Sequence, residues 1–254
     1  MERPEIFTLP IDGYSADDAI QRIKDSTHPF WIVTANAEIL LEAHKDKEFA
    51  DAIRQADLRM LDGSGPAFML RLFGERVHRV PGVDLAEKII AWANEQNLRV
   101  GLIGGGEGRA EKAAIVLRRK FPKISIHSEN GGRIEKNGND DAPGEESRHR
   151  MTLFAPQVLL VAFGHPRQER WILNNLHDFP GLRAIMGVGG TFDFWAGTAM
   201  RAPKWMRSIG LEWLWRLIRE PRRIKRIWRA VIIFPFTYVA SLFQFPDNEK
   251  THPL

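Results

Sequence analysis

The 254-residue sequence contains no cysteine. Disulfide frameworks, thiolate metal sites and cysteine nucleophiles are thereby excluded, and a reducing cytoplasm is compatible with the composition. Also missing are a Walker A sequence, an H-E-x-x-H and a D-x-D, and the eight histidines form no ligand-spaced cluster. P-loop phosphoryl transfer is thus disfavoured, and neither a cofactor nor a bound metal is expected. The first ten residues, "MERPEIFTLP", hold no apolar run between charged flanks and read as neither signal peptide nor membrane span. The charge-free stretch "AVIIFPFTYVASLF" (230–243) is broken by Pro235 and falls short of the roughly twenty apolar residues a bilayer crossing requires. No internal repeat is visible.

What is present is unevenly placed. The formal net charge is +4, yet residues 201–229 carry ten Lys/Arg against two Glu, which leaves the rest of the chain at −4. An acidic body with a basic tail points to an anionic partner. In the tail, Leu211, Leu214, Trp215 and Ile218 fall on one helical face, and after Pro221 the spacing resumes with Ile224, Ile227, Trp228 and Val231. Tryptophans bordering cations suit an interfacial helix on anionic headgroups, with 230–243 either entering one leaflet or packing on the body. Nucleic acid is the weaker reading, because the aromatics form a stripe and not an interleaved stacking platform.

Upstream, six short runs have strand character: 30–35, 57–61, 99–103, 123–127, 157–163 and 183–189. Helical spacing separates them, most clearly in "DLAEKIIAWANEQN", where Leu85, Ile89 and Ala93 share a face and Asp84 with Glu87 resembles a capping box. The alternation predicts an α/β fold: a parallel-sheet, Rossmann-like core with helices on both faces, followed by a basic helical appendage. We assign residues 1–200 to the core and 201–254 to the appendage. The segment 135–146 is polar and Gly/Pro-rich and reads as a mobile surface loop or lid.

Ligands of open parallel sheets bind beyond the carboxyl ends of the strands. The loops expected there are "TANAE", "LDGSG", "IGGGEG", "AFGHPRQE" and "GVGGTFDF". The dinucleotide fingerprint G-x-G-x-x-G fails twice, at Arg109 and at Phe192, although glycines leading into a helix still leave backbone N–H groups for a phosphate or sugar. Asp62 ends a strand beside Gly63 and Gly65, where it can act as a general base or, alternatively, cap the following helix. His165 can touch substrate or be merely solvated, and Glu169 is placed to cap the helix after Pro166.

Taken together, "TANAE", "LDGSG", "RVPGVDL", "GHPRQE", "GVGGTFDFWAG", "RAPKWM" and "LEWLWRLIREPRRIKR" resemble the WecG/TagA/CpsF family of bacterial glycosyltransferases, from about residue 34 to 229. The resemblance implies metal-independent, inverting transfer of a sugar from a UDP-sugar to a polyprenyl-diphosphate-linked sugar at the inner face of the cytoplasmic membrane. It makes Asp62 the base, places Thr34 and Asn36 at the sugar, and places Arg79 and Gln168 at the donor diphosphate or sugar. The resemblance also implies that Arg216, Arg223 and Arg226 reach the site from an appendage attached to the membrane. A catalytically silent sugar-nucleotide-binding protein is the alternative, and homo-oligomerisation stays open. One departure stands out: Gly132 in "ENGGRI" occupies a place where the family often carries an aromatic.

Overall fold

The computed structural model describes residues 3–243. A short antiparallel pair, β1 (Glu5–Ile6) and β2 (Leu9–Pro10), precedes the main sheet. The main sheet consists of β3 (Phe30–Ala35), β4 (Leu58–Leu61), β5 (Arg99–Gly104), β6 (Ser125–Glu129), β7 (Val158–Ala162) and β8 (Ala184–Gly187). All pairs are parallel and the strands lie in the order β4-β3-β8-β7-β5-β6. Connections from β3 run toward one edge and those from β5 toward the other, so a crevice opens above the strand ends between them.

Alternation along the strands separates two apolar layers. Trp31, Val33, Leu159, Val161 and Ile185 point into one, while Ile32, Met60, Leu102, Leu160 and Met186 point into the other. A side-chain period of two with both faces covered by helices gives the uninterrupted β-branched runs seen in the sequence. The run at 123–127 is displaced: Arg99 pairs with Ser125 and Ile103 with Glu129, so β6 starts two residues later than its composition suggests.

Two local expectations are corrected. The helix Gly82–Glu95 begins one turn early on an extended Pro81, without a side-chain cap. Asp84 instead holds Arg201 at 2.5 Å, and Glu87 accepts from Lys120 at 3.2 Å. Leu85, Ile89 and Ala93 are buried as their spacing requires. The stretch 135–146 is no lid. Ile134 bridges Asp140, Asp141 caps the helix Ala142–Phe154, and the Asp140 carboxylate accepts from Trp171 Nε1 at 2.6 Å and Arg148 Nε at 2.7 Å. Such charge-assisted bonds to a carboxylate pin the segment to the body.

The basic segment packs on the body as Lys204–Ser208, Glu212–Arg219 and a helical run from Pro221 to Leu242. Pro235 can neither donate to the carbonyl four residues back nor avoid its bulk. The run meets this by widening to a π-turn over Arg229–Ile233, with the Phe234 N–H donating to Arg229 O. The expected stripe is divided there: Ile227 and Val231 line an internal cavity, whereas Ile224 and Trp228 are exposed. Phe234 is fully buried and Tyr238 nearly so, within the body's core beside Phe7. Burying Phe234 contributes on the order of 1.5–3 kcal/mol to docking. Phe236, on the other side of the same helix, is 74% exposed. Among the described residues no helix is long and apolar enough to cross a membrane. The last eleven residues of the expected appendage, 244–254, lie outside the described residues.

Candidate active site

Loops after β3, β4, β5, β7 and β8 converge on a polar cavity of about 420 Å³ that includes Thr34, Asn36, Asp62, Gly105, Gly106, His165, Gln168 and Gly187–Thr191. A second cavity of about 570 Å³ adjoins it. Phe68, Met69, Ile209, Trp213, Ile227, Val231 and Pro235 give this second lobe its apolar walls. The lobes share Asn36, Asp62, Gly82, Val83, Arg216, Arg223 and Arg226. Seven of the eight residues singled out from sequence line the polar lobe, and the eighth, Arg79, lines the apolar one.

Asp62 leaves β4 with its N–H bonded to Ala35 O, and the next helix, Ser64–Leu72, is capped by the Gly63 backbone alone. Its carboxylate is therefore free of capping. Burial pushes its pKa up to about 6, opposed by Arg79 and the Gly82 amide, reinforced by Glu212 and opposed again by Arg216. Such a carboxyl still ionises at neutral pH and is a stronger base than a solvated aspartate. Gly82 has a direct reason to be glycine: a Cβ there would lie 3.1 Å from Thr34 Oγ1 and 3.6 Å from Asp62 Oδ2, filling the space between them.

Asn36 caps the helix Ala37–Lys45, its Oδ1 accepting from the Glu38 and Ile39 N–H groups at 2.9 and 3.1 Å. That leaves only the amide Nδ2 for a ligand. Thr34 sits on β3, in register with Met60 of β4, and lines the polar lobe. Arg79 is committed elsewhere. Its Nε donates to Asp62 O at 2.9 Å and its Nη1 to Arg207 O at 3.1 Å, while Nη2 lies 3.7 Å from Glu212. It ties the end of β4 to the basic segment, with little of the guanidinium left for a diphosphate.

The three tail arginines enter the shared waist, each beside a carboxylate. Arg226 grips Glu38 through Nε and Nη2 at 2.9 and 2.6 Å, which leaves Nη1 unengaged. Arg223 pairs with Glu220, and Arg216 lies 3.5 Å from Glu212 with its guanidinium over the Phe194 ring. Although burial pushes the Glu38 carboxyl up, Arg226 holds it below the usual range. His165 is half-buried and feels the charges of both Glu38 and Arg226, and its imidazole pKa is held low chiefly by burial. Glu38, Glu212 and Phe194 were not foreseen from sequence. Glu38 does lie within "TANAE", yet only its partner 188 residues away reveals its part.

Gln168 is buried beneath the floor formed by Gly187–Gly189. Its Nε2 donates to Glu169 Oε1 at 2.7 Å and its Oε1 accepts from the Gly189 N–H at 3.1 Å. The side chain expected to face phosphate thus shapes the wall with both ends of its amide. Glu169 caps no helix: the helix Arg167–Asn175 starts after Pro166 without a side-chain cap, and the Glu169 carboxyl is buried. Gly132 is explained by packing. Its φ is +59°, and a Cβ would fall 2.3 Å from Asp141 Oδ1 and 2.4 Å from the Gly144 nitrogen, so no aromatic fits. Gly132 borders a third cavity, of about 360 Å³, which continues from the polar lobe past Gly105 and Phe163 toward Arg133 and Arg167.

Residues 4–247 match the family model described as "Glycosyl transferase WecG/TagA/CpsF family". Two proteins from Staphylococcus aureus strains MRSA252 and MW2 are each 30% identical to the chain over 238 residues, covering 91% of this chain and 90% of theirs. Both bear the name N-acetylglucosaminyldiphosphoundecaprenol N-acetyl-beta-D-mannosaminyltransferase. With Asp62 at the end of a parallel strand and three arginines brought to the same cavity by its C-terminal helices, this chain, similar to these transferases over nearly its full length, belongs to the WecG/TagA/CpsF family of glycosyltransferases.

Proposed function

We propose that the protein transfers a sugar, with inversion, from a UDP-sugar to a polyprenyl-diphosphate-linked sugar during assembly of a bacterial surface polysaccharide. One observation carries this reading: Asp62 and three arginines stand where a polar cavity meets an apolar one. The polar lobe suits the sugar nucleotide and the apolar lobe suits the prenyl chain. At the waist, the acceptor hydroxyl attacks the anomeric carbon as Asp62 takes its proton, and the bond from that carbon to the UDP oxygen breaks on the opposite face. Arg216, Arg223 and Arg226 stabilise the charge developing on the departing diphosphate, a role that in other transferases falls to a metal. Thr34 and Asn36 contact the transferred sugar.

The relatives' name supports the acceptor class, and its β product is what inversion at an α-linked sugar nucleotide yields. It also favours N-acetylmannosamine over a uronic acid or a hexose as the transferred sugar. We further propose residues 1–200 as the catalytic unit and 201–254 as an appendage that rests on the inner face of the cytoplasmic membrane. The exposed Trp205, Ile209, Trp228 and Phe236 beside Lys and Arg support that placement. The test is UDP release by full-length protein with a panel of UDP-sugars, a prenyl-diphosphate-GlcNAc acceptor and EDTA in one arm. Acceptor-dependent, EDTA-resistant release with a single donor is expected. UDP binding without release would instead favour a silent sugar-nucleotide-binding protein.

A further inference from the structure

Glu169 is 2% exposed, and its Oε2 has no hydrogen-bond partner. Among the described residues no charged group perturbs it: besides burial, only the Gln168 amide and its own backbone N–H act on it, and burial prevails, pushing its pKa up to about 7. A buried ionisable group without a charged partner is a burden to folding, and an apolar residue of similar volume is often neutral or stabilising at such a place. Its value must then lie in what it holds. The one side chain bonded to it is Gln168.

The geometry makes a chain. Glu169 Oε1 accepts from Gln168 Nε2 at 2.7 Å, which turns Gln168 Oε1 toward the Gly189 N–H, 3.1 Å away. The amide lies so close against Gly187 that a Cβ there would meet its Nε2 at 2.6 Å. Gly189 has φ +50°, and Val188 on its other side is fixed through its N–H to Val161 O and its carbonyl to Thr191 Oγ1 at 2.7 Å. Gly187 through Thr191 forms one wall of the polar lobe. An amide has two ends of nearly equal size and opposite polarity, and a flip would set an N–H against the Gly189 N–H. Glu169 Oε1 is the acceptor that selects the correct orientation.

We propose that Glu169 is a positioning residue for the donor wall, fixing the Gln168 amide so that it holds the 187–190 turn in the shape the sugar nucleotide meets. The ligand in this statement rests on the donor assignment above; the turn geometry does not. Three variants test it: Glu169→Gln, which keeps a carbonyl acceptor; Glu169→Leu, which keeps volume alone; and Glu169→Met, an unbranched substitute that makes the same contrast if leucine folds poorly. Amide hydrogen exchange at Gly189 reads the turn without ligand, and UDP titration reads the wall with it.

The expected result is faster Gly189 exchange and about tenfold weaker UDP binding in the leucine or methionine variant, either of which leaves the buried Gln168 Nε2 without its acceptor. Both readouts should stay within about twofold of the parent in the glutamine variant. Wild-type exchange and UDP affinity in Glu169→Leu or Glu169→Met overturn the proposal, as does equal loss in Glu169→Gln. If the parent chain itself does not bind UDP, the donor assignment fails while the exchange contrast still decides the role of Glu169.

Discussion

The two walls of the cleft are built on different principles. On the body side, strand ends and glycine turns present backbone, Thr34, Asn36 and Asp62, and the charged groups are few and deeply set. On the tail side, Arg216 from one helix and Arg223 and Arg226 from the next gather at the waist, and each is matched by a glutamate. The body wall thus offers shape and one basic carboxyl, and the tail wall offers charge already held in place. The transfer proposed above, which moves a proton and releases a diphosphate, draws on both. Paired arginines also stay ordered before substrate arrives, because charge-assisted contacts restrict their rotamers.

The sharpest way to break this contrast is at Asp62. Asp62→Asn is expected to lower transfer by about 10²–10⁴-fold while UDP titration stays within a few-fold, since only proton acceptance is removed. The pH profile gives the sign independently. Asp62 must be ionised to act, so kcat/KM should rise with pH through about 6 and level off above it. Stability runs the other way, because a carboxyl with a raised folded pKa favours the folded state at low pH and loses that contribution as pH rises through about 6. A flat activity profile between pH 5 and 7 would remove Asp62 from the role of base.

A smaller effect is expected at the tail wall. Arg226→Ala should lower kcat/KM for the UDP-sugar about tenfold, the loss of one charged hydrogen bond to the departing diphosphate, and leave the acceptor KM less affected. Arg226→Lys should restore little, because a single ammonium cannot hold Glu38 through two nitrogens and keep a third for substrate. Equal loss for both substrates would show that the two walls do not divide the work.

The smallest effect belongs to the outer face. Deleting the tail is a poor probe, since it strips Phe234 and Tyr238 from the core. The double substitution Trp228→Ser with Phe236→Ser touches only exposed rings and should weaken flotation with anionic liposomes several-fold while UDP binding is unchanged. Unaltered flotation would leave the membrane assignment to the cations alone.

Much of this molecule is legible in its sequence. The six strands follow from β-branched runs of strand length, and the glycine-rich corners that follow them do converge above the sheet. Misreadings fell where a local pattern met a distant partner. "DLAE" has the spacing of a capping box, but Arg201 takes Asp84 and the helix begins at Gly82. "EKNGNDDAPGEE" has the composition of a mobile loop, but Trp171 and Arg148 bind its buried Asp140. Glu169 stands where it could cap the helix after Pro166, but its carboxyl turns inward and accepts from Gln168 instead.

The sequence by itself determined the α/β alternation, the absence of thiol chemistry, the charge asymmetry and the corners in which polar side chains stand. Those properties are written in neighbouring residues, through periodicity and backbone preference. Only the tertiary structure decided that burial raises the basicity of Asp62, that Arg79 ties β4 to the basic segment, that Arg226 is held by a glutamate 188 positions away, and that Glu169 is sealed beneath the wall of the polar lobe. Burial and pairing are set by whatever packs against a group in space, and no local spacing encodes that neighbour.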